Sequence, residues 1–372
     1  MIRDLKLDNL RGLAIVLVVL GHFISRSSFM GLFGFSFTYK FIYLFHMPLL
    51  IFVSGYLSKI RPDNTKKAFK GLLVPYLIFD SLWIFFIFII DGNTTNLMYL
   101  IPEWGLWYLL SLFFWRTMLP AANKVKYIFW ISIFLALFIG TVNFKSGFLS
   151  ISRTLCFFPI FLLGFYFKDL KEKFTINKYI AGGALITLLT TATLYFMPQK
   201  AKILYLKDAY SIMGMGNLEG MALRLIIIII GMISAVLLFN IMTSKKTFLT
   251  KIGRNSLSVY ILQFYFIFSL PIIIKYLGLN FIFHSYLLTT IYVILATVMV
   301  TFILSQDKVN ECLNILIKTV VKILIEEKPS DKSDSFILSL NRIYLKLNQQ
   351  NINKFLMKVL NLNGFYRRIK RN

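Results

Sequence analysis

Apolar positions along the chain gather into ten long runs, 10–28, 37–58, 71–90, 105–120, 127–143, 151–167, 179–197, 221–241, 256–275 and 284–305, separated by short polar segments. A helix needs about 20 apolar residues to cross a bilayer. The pattern therefore predicts an all-α, polytopic transmembrane helix bundle of about ten spans, with the fourth and sixth runs short. After residue 305 the pattern changes. Segment 336–360 places apolar residues at helical spacing within a Lys- and Asn-rich stretch. The division expected is a membrane domain over 1–305 and a basic tail over 306–372, part of it an amphipathic helix on an anionic membrane surface.

Composition agrees with this reading. Hydrophobic residues make up 58% of the 372 positions and charged residues 15%, against about 25% charged in a soluble domain. The net charge of +25 does not indicate nucleic acid, because Lys and Arg sit between the apolar runs and in the tail. If the N-terminus is cytoplasmic, the inside segments hold most of the 41 basic residues, and the bias repeats loop by loop. Both termini are then expected in the cytoplasm, the protein being multi-pass in a cell membrane. Segment 198–220 departs from the rule by carrying Lys200, Lys202 and Lys207 on the outside. Within it, the Gly-rich stretch 208–220 is a candidate cavity mouth. Cys156 and Cys312 lack metal or disulfide spacing and are expected to be unpaired thiols.

Three histidines occur: His22, His46 and His284. His22 interrupts the first run, ten intervening residues after Arg11. At about 1.5 Å per residue it lies roughly 16 Å deeper than Arg11. A polar group at that depth is costly unless it faces protein or a water-filled cavity. His46 enters the second run at similar depth, so the two can share one cavity. Imidazole is the usual general base near neutral pH, and deprotonating an alcohol as it attacks a thioester or ester suits it. A purely structural interhelical hydrogen bond is the competing reading. His284, at the start of the last run, is expected to be interfacial.

Arg153 and Arg224 fall near the outer ends of their runs, where snorkelling or anion binding accounts for them. Anion recognition is favoured for Arg153 and snorkelling for Arg224. Glu103 stands beside Trp104 at the end of an outside loop. Lys59, Arg61, Lys66 and Lys67 are placed to hold the phosphates of a nucleotide-like donor. Topology alone also explains them. Sequence motifs for phosphate loops, dinucleotide binding, serine hydrolases and zinc peptidases are missing.

These features together resemble the acyltransferase-3 family of integral membrane O-acyltransferases. The stretch L-D-N-L-R-G-L-A-I-V-L-V-V-L-G-H, with Arg11 and His22, resembles the family's first-helix signature. F-H-M-P-L-L-I-F-V-S-G-Y-L, with His46, resembles its second-helix motif. G-L-W-Y-L-L-S-L-F-F, with Trp107, and R-T-L-C-F-F-P-I-F-L-L-G, from Arg153 to Gly164, resemble two further motifs. I-G-R-N-S-L-S-V-Y-I-L-Q is a weaker match, and it ends in Gln263 where many members have His.

The resemblance covers 1 to about 305. It implies acetyl-CoA or another acyl-CoA as donor substrate, with no permanently bound cofactor or metal, and a glycan hydroxyl as acceptor. The chain is most similar to the polysaccharide O-acetylase branch, which includes fucose 4-O-acetylase-like proteins. In that setting His22 is base or nucleophile, and His46 orients or relays. Arg11, Arg61, Lys66 and Lys67 guide the CoA phosphates. Arg153, Trp107 and Glu103 contact the acceptor, and Asp8 supports Arg11. A transporter or flippase for a glycan or lipid precursor remains the alternative, with the histidines as proton or packing sites. Transfer of succinyl or another acyl group is a third reading.

Overall fold

The structure, a computed structural model, describes residues 4–91, 100–143 and 147–323. Among these residues it is helical with no strand. The helices are α1 (Leu5–Ser25), α2 (Phe33–Tyr43), α3 (His46–Leu57), α4 (Asn64–Ala68), α5 (Val74–Asp91), α6 (Trp107–Ala122) and α7 (Ile128–Phe138). They continue as α8 (Ile151–Leu170), α9 (Lys178–Phe196), α10 (Asn217–Ile241), α11 (Phe248–Arg254), α12 (Ser256–Tyr276), α13 (Tyr286–Leu304) and α14 (Asp307–Val321). The chain divides into two compact units, Met1–Ile317 and Lys318–Asn372. The first unit runs past residue 305 and takes in most of α14. The expected amphipathic segment 336–360 lies outside the described residues.

Eight helical stretches among the described residues are long and apolar enough to cross a membrane. The two other expected spans are shorter. Helix α6 has 16 residues, about 24 Å of rise against a hydrocarbon core of about 30 Å, and the apolar stretch Ile128–Thr141 is also brief. The sixth run, expected to be short, instead becomes the 20-residue α8, because the helix continues through Lys168 to Leu170.

The second run is one apolar stretch but two helices. Phe45, at φ −136° and ψ −21°, breaks α2 from α3. Helices α1, α3 and α8 form the buried centre, with α3 lying between α1, α8 and α10. Two glycines let α3 and α8 touch: a Cβ on Gly55 would meet the Phe161 carbonyl, and one on Gly164 would meet the Phe52 carbonyl. Such small-residue crossings suit membrane helices, where apolar burial alone does not drive association.

The opening signature also has a packing role. Asp4 caps α1, accepting from the Lys6 amide at 2.9 Å. Asn9 is fully buried. Its amide donates to the Thr243 and Lys245 carbonyls, both at 2.9 Å, and its oxygen accepts from Thr247 at 2.9 Å and Thr250 at 2.6 Å. The start of α1 is thereby tied to α11 and the turn before it.

Candidate active site

His22 lies in the last turn of α1, because the helix stops at Ser25 and not at residue 28, where the apolar run ends. Its ring packs edge-on against Phe264, with centroids 4.8 Å apart. His46 opens α3 directly after the break at Phe45. Its Nδ1 is 2.8 Å from the Ile42 carbonyl. A carbonyl only accepts, so Nδ1 carries a proton, and in the neutral ring Nε2 keeps its lone pair. The Tyr43 ring packs edge-on against His46, at 4.7 Å.

Both imidazoles line one cavity of about 600 Å³, together with Tyr43, Trp107, Arg153 and Tyr260. Residues 101–105 with Leu204, Tyr205 and Lys207 contribute to its lining. Glu103, Trp107 and Arg153 line the same cavity as the histidines. Arg153 stands in the first turn of α8. Its Nε donates to the Tyr205 carbonyl at 3.2 Å, and its guanidinium lies 4.8 Å from the Trp107 ring centroid. Trp107 stacks in turn on Phe157, at 5.5 Å and 25°. The Glu103 amide donates to Asp80 at 3.4 Å. Burial raises the Glu103 carboxyl above its ordinary value, opposed by Lys207.

Other expectations resolve differently. Leu204, Tyr205 and Lys207, just ahead of the Gly-rich stretch 208–220, line the cavity. Arg224 does not snorkel: it is buried, donates to the Ala136 and Asp208 carbonyls at 3.2 and 3.0 Å, and stacks on Tyr210. Gln263 is buried outside the cavity lining, donating to the Tyr260 carbonyl at 3.0 Å.

A smaller pocket, about 210 Å³, opens at the Leu57 end of α3. It is lined by Ser58, Lys59, Arg61, Asn64, Lys67 and Arg116. Arg61 and Lys67 therefore meet there, although Lys67 also pairs with Asp63 at 2.7 Å. Lys66 is exposed and lies outside this lining. Arg11 lines neither pocket and donates to the Ser256 hydroxyl at 2.6 Å. Asp8 is 3.6 Å from Arg254.

Sequence reasoning missed Arg26, Tyr39, Tyr43, Tyr205, Lys207 and Tyr260, all of which line the large cavity. Tyr39 and Tyr205 share a hydroxyl hydrogen bond at 2.6 Å. For Lys207 a signal existed, since it is one of the lysines that broke the charge rule. The tyrosines carried none, because aromatic residues are abundant throughout the chain.

The model of the acyltransferase domain matches residues 4–306. The chain belongs to the acyltransferase-3 family. It is thus a polytopic membrane protein of that family. It is also similar to nodulation protein NolL of Sinorhizobium fredii, 30% identical over 188 residues, covering 46% of this chain and 50% of that protein. Nodulation protein NolL of Mesorhizobium japonicum is 32% identical over 183 residues, covering 44% and 48%. The chain thus spans about half the length of these relatives in the matched region. No solved structure matches it.

Proposed function

We propose that this acyltransferase moves an acetyl group from acetyl-CoA to a hydroxyl of a cell-surface polysaccharide or its lipid-linked precursor, in the polysaccharide O-acetylase branch. The observation that carries the proposal is the placement of His22 and His46 on one aromatic-lined cavity. One of them, His46, has its tautomer set by a backbone carbonyl.

In the direct route, His22 takes the proton of the acceptor hydroxyl as its oxygen attacks the thioester carbonyl. The new C–O bond forms, the C–S bond breaks, and the proton passes to the departing CoA thiolate. In the two-step route the unprotonated ring nitrogen of His22 attacks the thioester carbonyl, the C–S bond breaks and the CoA thiolate leaves with the ring's proton; the acceptor oxygen then attacks the acetyl-imidazole, the N–C bond breaks and the hydroxyl proton restores the imidazole. His46 orients His22 or relays the proton. Arg153, Trp107 and Glu103 contact the acceptor.

The donor's phosphates are assigned to the basic pocket at the Leu57 end, with Arg61 and Lys67 lining it and Lys66 and Arg11 supplying charge nearby. Helix α3 separates that pocket from His46 by its own length, about 16 Å, a span suited to the pantetheine arm of CoA. Between these ends, Ser54 and Tyr108 share a hydrogen bond at 2.5 Å. The protein is placed in a bacterial plasma membrane with both termini cytoplasmic. Asp8 helps fix the position of Arg11.

Purified protein supplied with labelled acetyl-CoA and an acceptor glycan tests this reading. The expected result is label in the glycan, and its loss in a well-folded His22→Ala variant. Undiminished transfer by that variant would remove His22 from the mechanism. Succinyl-CoA competition identifies the acyl group, and accessibility of single cysteines placed in the loops and at the termini reads the topology.

A further inference from the structure

Three cations face the large cavity, Arg26, Arg153 and Lys207, against one lining carboxylate, Glu103. Among the described residues none of the three makes an ion pair. Arg153 spends one donor on the Tyr205 carbonyl and keeps its plane over Trp107, which leaves further N–H groups of its fork uncommitted. Arg26 lies over Phe268, 3.9 Å from the ring centroid, and 5.8 Å from Trp104. Lys207 is half-buried. Burial, and next the Arg153 guanidinium, pull its ammonium below the ordinary value, while Asp208 and Glu103 oppose. Cations in a partly desolvated cleft without a counter-ion are costly. A bound anion removes that cost. The aromatic rings at the same wall supply flat apolar faces of the kind a sugar ring packs on.

The geometry points to an acceptor that carries an anionic group, a phosphate or a carboxylate, held by Arg153, Lys207 and Arg26 with its sugar against the exposed Trp104; this rests on the acyl-transfer reading of the cavity. The donor's phosphates are a second source of anionic charge. They are provided for separately, because the basic pocket with Lys59, Arg61, Lys67 and Arg116 lies at the other end of α3. The acceptor class is therefore a uronic-acid or phosphate-bearing glycan rather than a neutral one.

Binding tests this independently of catalysis. Full-length protein carrying His22→Ala, in lipid nanodiscs, is titrated with glucose 6-phosphate and methyl glucuronoside, and with methyl glucoside as the neutral probe. The anionic probes are expected to bind about tenfold tighter at low salt, with the preference shrinking as salt is raised. Lys207→Gln should remove most of the preference, Lys207→Arg should retain it, and CoA affinity should be unchanged in both. Equal affinity for charged and neutral probes overturns the inference. So does a Lys207→Gln variant that loses CoA affinity, because that assigns the cations to the donor. Failure of acetyl transfer by the wild-type protein is read in the separate labelling assay. It counts against the acyl-transfer reading while the binding preference still decides the charge.

Discussion

A methyl group on Gly164 tests how tightly the α3–α8 crossing fixes the site. The Cβ of Gly164→Ala would fall well inside contact distance of the Phe52 carbonyl on α3. Neither atom belongs to a flexible side-chain tip, so the helices must separate by on the order of 1 Å. Two effects compete. Alanine gains about 1 kcal/mol of helix propensity over glycine, and forcing a methyl into a packed contact costs about 1–3 kcal/mol. A backbone obstruction belongs at the upper end of that range, so net destabilisation of about 1–2 kcal/mol is expected. Gly183→Ala is the control. It makes the same chemical change on α9, where a Cβ meets nothing within 4 Å, and only the propensity gain remains. The crossing also reaches chemistry: Phe52 is about 9 Å along α3 from His46, and a shift of about 1 Å in a reacting group can cost roughly 100-fold in rate. Thermal unfolding followed by tryptophan fluorescence in detergent, with acetyl transfer per folded enzyme, reads both. If Gly164→Ala matched Gly183→Ala in melting temperature and rate, the close approach would not be what holds α3 in place.

His46→Asn keeps an N–H able to reach the Ile42 carbonyl but offers no base at the Nε2 position. It is expected to melt near wild type and to lose about 100- to 10,000-fold in transfer, whereas retained activity would reduce His46 to a packing role. Lys40→Met removes an ammonium that donates to the Phe196, Met197 and Gln199 carbonyls at 3.1, 2.6 and 2.9 Å. Leaving these carbonyls, at and just beyond the C-terminal end of α9, without that donor should cost about 1–3 kcal/mol, seen as a lower melting temperature. Affinity for an anionic sugar should fall as pH rises, earlier than an ordinary lysine near pH 10.4 would require. The cause is that burial and Arg153 lower Lys207, with Lys202 adding and Asp208 and Glu103 opposing. Lys207→Arg should flatten that alkaline loss. On the acid side, the raised Glu103 carboxyl takes up a proton above its ordinary range, so affinity should rise as pH falls, and Glu103→Gln should remove that rise.

The chain's own pattern settled the class of fold, because backbone groups in a bilayer leave few options besides a helix for runs of about 20 apolar residues. It also marked His22, His46, Arg153 and Trp107, since polar or unusual residues in such runs stand out against their surroundings. Helix ends were less legible. Hydropathy does not register the φ/ψ break at Phe45 or the stop at Ser25, and those two events bring both imidazoles to one cavity. Tertiary structure alone decided three further matters. It divided the basic residues, sending Arg61 and Lys67 to one pocket, Arg11 to Ser256, and Lys207 to the opposite end of α3. It gave Arg224 a bracing role through two carbonyls that are remote in sequence. It also assembled Tyr39 and Tyr43 of α2, Tyr205 and Tyr260 from three separate segments. The physical reason is shared by all three. One-dimensional hydropathy reports whether a residue suits lipid, whereas the partner of a charge or the ring beside an imidazole depends on which helices cross, and at what depth.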